Sequence, residues 1–94
     1  MNNYRRGADF ERRVCKYFDK QGYFTVRSAG SHSIIDLVAI KAGEVKLIQC
    51  KIDGILSPAE KEQLQELSRE SQCQVLLIYR EDRHMRALPI REDI

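Results

Sequence analysis

The apolar positions of this chain switch between two periodicities, and the switches divide it into elements. From about Arg5 to Lys20, Phe10, Val14, Tyr17 and Phe18 recur at helical spacing, and Gln21-Gly22 supplies a stop signal. Tyr23 to Arg27 is a short β-rich run, Ser28 to Ser31 is turn-like, and Ile34 to Ile40 is nearly all apolar, as expected of a central strand covered on both faces. Ala42-Gly43-Glu44 makes a tight connection to Val45–Ile52, whose alternating residues predict an antiparallel partner for the preceding strand. Ser57-Pro58-Ala59-Glu60 combines an N-cap serine, proline at the first helical position and glutamate three residues after the cap. A second helix therefore starts here and runs to about Ser71, with Leu64 and Leu67 facing inward. Gln74 to Tyr79 is another apolar strand, and Met85 to Ile90 contains Pro89 and belongs at an edge. The expected order is αβββαββ, a mixed α/β sheet with a helix on each side.

Length narrows this to one domain over residues 1–94, since a chain of 94 residues is too short to fold a second domain. No apolar run is long enough to span a bilayer, and the charged amino-terminal helix takes the place where a secretory h-region would lie. Cys15, Cys50 and Cys73 are widely spaced and do not pair with the two histidines at metal-ligand spacing. They are expected to be free thiols packed as small hydrophobes, in a reducing, cytoplasmic setting.

Three polar features do not fit a plain core. Asp36 interrupts Ile34–Ile40, where an ionised carboxylate must protonate, pair with a cation, or bind a metal ion. Gln49 and Lys51 share one face of the third strand while Ile48, Cys50 and Ile52 share the other. A hairpin about Ala42-Gly43 sets Lys46-Leu47 opposite the end of the second strand and brings Gln49 and Lys51 near Asp36. Glu11 lies about 20 to 60° from Gly7, Val14 and Phe18 on a helical wheel, so it borders the apolar arc and either points at the sheet or pairs with a surface base. The net charge of +2 conceals an uneven distribution. Arg5, Arg6, Arg12, Arg13 and Lys16 crowd the first helix and Arg27 and His32 follow, while Glu60, Glu62, Glu66 and Glu70 lie on the second. One basic side would suit a phosphate backbone.

An acid in the second strand, Gln-x-Lys in the third and a helical glutamate before them resemble the PD-(D/E)xK nuclease pattern, with its restriction-endonuclease-like αβββαβ core. The surrounding residues are more specific. Tyr4 to Arg12, Gly22 to Ser31 with its Arg-Ser-Ala-Gly-Ser stretch, and Ile35 to Ala39 resemble the archaeal-type Holliday junction resolvases over most of residues 4 to 80. The resemblance implies a metal-dependent endonuclease that cuts four-way DNA junctions as a homodimer. It implies Mg2+, with Mn2+ as a substitute, held by Asp36, Gln49 and Glu11. Lys51 and an active-site serine, Ser28 or Ser31, complete the catalytic set, and Arg5, Arg6, Arg12, Arg27 and His32 contact DNA. Two departures stand out. Gln49 occupies the position of the family's usual glutamate, and the chain is short for an archaeal member, a brevity that would suit a virus. Apolar candidates for a dimer face are Ile55, Leu56, Leu64 and Leu67, for which core packing competes. The alternatives are a nuclease of the same fold acting on nicks, flaps or mismatches, and a DNA-binding module that has lost cleavage.

Overall fold

In the computed structural model, residues 3–28 and 33–91 are described, the side chains of 3 and 4 excepted. Helix α1 (Asn3–Lys20) precedes strands β1 (Phe24–Arg27), β2 (Leu37–Lys41) and β3 (Glu44–Cys50), and helix α2 (Pro58–Ser71) leads into β4 (Gln74–Glu81) and β5 (His84–Pro89). The strands lie side by side in chain order. All neighbours are antiparallel except β3 and β4, where the α2 crossover returns the chain in parallel. The Pro89 strand takes an edge, as its missing N–H requires.

Alternation along the strands builds two cores. Leu37, Ala39, Ile48 and Ile78 turn to one face and bury Phe10, Val14 and Phe18 of α1. Val75 and Leu77 turn to the other, where they meet Leu64 of α2, together with Ile35 and Ile90. Each fully buried Leu or Ile contributes about 1.5–3 kcal/mol, which fixes both helices to the sheet. Leu64 is thus core and is withdrawn as a dimer contact, while Ile55 is exposed and Leu56 and Leu67 pack against the second core.

Two details of the second strand differ from expectation. Regular β2 begins at Leu37, so Asp36 stands just before the strand instead of inside it. The reason is local: Asp36 N–H still bonds Ile48 O at 2.8 Å, but its side chain takes Cys50 N–H, which regular pairing would direct at a backbone carbonyl. Nor is β2 central, since β3 holds that place. Only its α1 side is fully covered. On the α2 side, Val38 and Ile40 pair with Val26 and Phe24 of β1 in a surface that α2 leaves open, with Phe24, Val26 and Ile40 exposed by 68%, 48% and 37%.

The hairpin forms about Ala42 and Gly43, whose φ values of 50° and 81° are those of a two-residue turn with both centres left-handed. Its register pairs Ala39 with Lys46 and Val38 with Leu47, in the middle of β2 and not at its end, and Leu37 with Ile48. The ladder ends there, and just beyond it the Gln49 side chain comes against Asp36 Oδ2. The three cysteines are free but only half-buried, with Cys15 and Cys50 against the α1 core.

Candidate active site

Because β2 and β3 run antiparallel, the start of one and the end of the other lie at the same end of the sheet, beside the last residue of β1. Asp36, Gln49, Lys51 and Arg27 therefore converge there, and Glu11 reaches the same place from α1. Asp36 is the anchor. Its Oδ2 accepts Cys50 N–H at 2.8 Å, its N–H donates to Ile48 O, and its carbonyl accepts Ser28 N–H at 2.9 Å. Ser28 is thus tied to Asp36 through its backbone. Ser31 and His32 lie outside the described residues.

Gln49 is 7% exposed, the one buried polar residue among those described. The end of its carboxamide faces two acceptors, Asp36 Oδ2 at 3.2 Å and the Ile34 carbonyl, so the nitrogen takes that place and donates to both. A hard cation at this spot would reverse the requirement and bring Oε1 inward instead. Among the described residues no three His, Cys, Asp or Glu side chains gather as a metal group. The donors at hand are the carboxylates of Asp36 and Glu11 and the Gln49 amide. An all-oxygen set of this kind fits a hard divalent cation and not a thiolate-seeking one.

Lys51 follows β3, and its N–H donates to Ile78 O at 3.0 Å. Its ammonium meets Glu60 Oε2 at 2.7 Å. The chain turns directly from Lys51 toward α2. Gly54, at φ 74°, donates its N–H to Lys51 O at 3.0 Å, and a Cβ there would lie 3.1 Å from the Tyr79 ring. Arg27 Nη2 stands 3.7 Å from Glu11 Oε1, and Arg27 Nε is buried without a hydrogen-bond partner among the described residues. Arg12 is paired with Asp9 at 2.9 Å on the exposed side of α1. Arg5 is exposed, and Arg6 lines a groove of about 430 Å³ with Gly7, Cys50, Lys51, Ile52 and Asp53.

Burial sets the electrostatics. It raises the Asp36 carboxyl above the ordinary aspartate range, against the Cys50 N–H bond and the Lys51 charge, and the Glu60 charge adds to the rise. Burial, then the Asp36 charge, raises Glu11, against Arg27 and Arg12. Burial also raises the Cys50 thiol, with Asp36 and Glu11 adding to it, so Cys50 is no nucleophile at neutral pH. Glu60 moves the other way, lowered first by its bond to Lys51 and then by Ser57 N–H. Glu60 is the member of this group that the sequence reading missed. Its capping-box position marked a helix start, and the short connection from Lys51 to that start was the available signal.

A mixed sheet in this strand order, with a carboxylate before β2 and Gln-x-Lys closing β3, is the restriction-endonuclease-like α/β fold. The chain belongs to the archaeal Holliday junction resolvase (Hjc) family, whose model matches residues 2–93. It is similar to the 1.6 Å structure of Archaeoglobus fulgidus Hjc, described as a Holliday junction resolvase from an archaeal hyperthermophile. That match has a TM-score of 0.75 and 27% identity, and covers 90% of this chain and 73% of the other. It is also 42% identical over 50 residues to the crossover junction endodeoxyribonuclease Hjc of Methanocaldococcus jannaschii. That stretch is 53% of this chain and 37% of the relative, so the match spans little more than a third of the curated protein. No helix among the described residues is long and apolar enough to cross a membrane.

The raised carboxyls have a measurable consequence. A group whose folded pKa lies above its unfolded one favours the fold when protonated, and that contribution is lost as pH rises through the folded value. Ionised Asp36 therefore works against the metal-free fold at neutral pH. Asp36→Asn keeps an acceptor for Cys50 N–H and removes the charge, so its melting temperature at neutral pH should exceed that of the wild type. The gain should shrink as the pH approaches about 4, the ordinary aspartate value. Adding Mg2+ should raise the wild-type melt and leave the variant unmoved. A variant that melts lower at neutral pH would contradict the assigned environment of Asp36.

Proposed function

We propose that this chain is a metal-dependent endodeoxyribonuclease that resolves four-way DNA junctions by paired phosphodiester hydrolysis, acting as a homodimer. The observation that carries the reading is the convergence of Asp36, Gln49 and Lys51 at the start of β2 and the end of β3, in a chain that belongs to the resolvase family. Asp36, Gln49 through Oε1, and Glu11 would hold Mg2+, for which Mn2+ would substitute. When bound, such an ion polarises the scissile phosphate and acidifies water at neutral pH. The protein's own groups do the rest. Lys51 places a positive charge beside the Asp36 carboxylate, where it orients the attacking water and stabilises the negative charge that develops on the phosphate. Arg27, beside Glu11, is suited to contact a backbone phosphate, and Arg12, Arg5 and Arg6 extend that basic side along α1. Ser28, whose backbone is bonded to Asp36, is the serine within the described residues suited to a substrate oxygen.

The neutral amide of Gln49, where the family's usual glutamate would stand, favours a second reading, a junction-binding module without cleavage. Incubating the protein with immobile four-way junctions, duplex, nicked duplex and flaps, with and without Mg2+, separates the two. Paired cuts confined to the junction are expected. Asp36→Asn should slow them by at least about a hundredfold while retaining junction affinity, since the basic side is unchanged. Tight binding with no cutting in Mg2+ or Mn2+ would favour the second reading, and cuts in flaps or nicks alone would point to the same fold acting on other DNA.

Gln49→Glu sharpens the same question. Without metal it sets a carboxylate against Asp36 Oδ2 and the Ile34 carbonyl, so the melting temperature should fall. With Mg2+ the added charge should lower the concentration needed for half-maximal cleavage. An unchanged metal requirement would remove Gln49 from the ligand set.

Support for the homodimer comes from the open half of the sheet. Phe24, Val26 and Ile40 continue into an apolar groove of about 480 Å³ whose lining includes Val26, Ile34, Val38, Leu47 and Leu67. Contiguous apolar surface of this kind marks an association site, and a second copy brings the second cutting centre that paired hydrolysis needs. Val26→Asp should convert a dimer to monomer in sedimentation velocity. A variant that sediments as the wild type would place the interface elsewhere.

A further inference from the structure

Glu60 carries two bonds that no other glutamate of α2 makes. One oxygen, Oε1, accepts Ser57 N–H at 2.9 Å while Ser57 Oγ accepts Glu60 N–H at 3.1 Å, the reciprocal pair of a capping box. The other oxygen, Oε2, lies 2.7 Å from Lys51 Nζ. The cap needs only the first. A lysine side chain has four rotatable bonds and about 2 kcal/mol of rotamer entropy, so an unrestrained ammonium would sample positions away from Asp36. Glu60 is restrained at both of its own ends, by the helix start it caps and by the salt bridge. Both partners are only partly exposed, at 30% for Lys51 and 26% for Glu60, where an ion pair is less screened than on an open surface.

We propose that Glu60 is a positioning residue, holding the Lys51 ammonium at the end of β3 between its own carboxylate and that of Asp36. The inference rests on the resolvase reading, which makes Lys51 the cation that orients the attacking water and stabilises the developing charge. It adds to that reading a carboxylate from a different element. With a neutral amide at Gln49, Glu60 is the acidic group that meets the lysine from the α2 side. The lowered Glu60 carboxyl agrees, since the Lys51 bond is its main cause.

Glu60→Gln separates the two roles, because glutamine still offers Ser57 N–H an acceptor and completes a capping box, but it carries no charge for Lys51. Single-turnover cleavage of a labelled four-way junction in Mg2+ should fall at least tenfold. Junction affinity, measured in Ca2+ to suppress cutting, should stay within twofold, and the thermal melt should stay close to the wild type. In 15N-lysine spectra of the whole protein, assigned with Lys51→Arg, the wild-type Lys51 ammonium should exchange slowly with water and be lost from the Glu60→Gln spectrum. Glu60→Ala, which removes cap and partner together, should lose cleavage to the same degree and melt lower as well. Wild-type cleavage by Glu60→Gln beside slow cleavage by Glu60→Ala would make Glu60 a cap and nothing more. Faster cleavage by Glu60→Gln would mean that the bridge holds Lys51 away from its task, and a Lys51 signal in fast exchange in the wild type would mean that no bridge forms in solution. Each of these three results overturns the proposal. A wild-type protein that cuts no junction would instead bring down the resolvase reading, and the role of Glu60 with it.

Discussion

The bond from Cys50 N–H to Asp36 Oδ2 is the contact on which the rest of this end of the molecule depends. It draws Asp36 out of regular pairing at the very point where β2 begins, so a carboxylate stands where a strand would otherwise continue. Ile35 is thereby free to turn into the α2 core, and the Asp36 backbone remains tied to Ile48 on one side and Ser28 on the other. The carboxylate is held by strands on both flanks, which gives it the rigidity a metal or phosphate site requires. Its cost is visible in the raised Asp36 carboxyl, whose burial is the main cause.

Most of the architecture was legible because it rests on local chemistry. The capping box at Ser57 and Glu60, the left-handed turn at Ala42-Gly43 and the apolar arc of Phe10, Val14 and Phe18 each announce their element from a few neighbouring residues. The nearness of Gln49 to Asp36 was legible too, since a tight hairpin carries register a dozen residues along two strands. What failed was the inference from an apolar run to its environment. Ile34 to Ile40 reads as a strand covered on both faces, yet only one helix covers β2. Its other face, with Val26 and Phe24, is apolar surface left exposed among the described residues. Hydrophobicity shows that a face avoids water, and it cannot distinguish a helix of the same chain from a second copy.

Glu60 escaped for a different reason. Its capping role was sufficient to explain its presence, so nothing in the sequence asked for a second partner. Its salt bridge depends on where β3 ends, on the Lys51-to-Gly54 turn and on the β3–β4 ladder that fixes Lys51 N–H to Ile78 O. These are relations among three elements, and no periodicity encodes them.

Taken together, Gln49 and Glu60 make a consistent electrostatic arrangement. A glutamate at position 49 would set a second buried charge about 3.2 Å from Asp36 Oδ2. The amide instead faces Asp36 without a charge of its own. Glu60 places a carboxylate on the far side of Lys51, partly exposed and already satisfied by Ser57 N–H and the ammonium, where its charge is far cheaper to maintain. It also raises Asp36 slightly, which is the expected sign for a like charge across a shared cation. The site thus keeps its acidic character while moving part of it from the buried strand to the capped end of a helix.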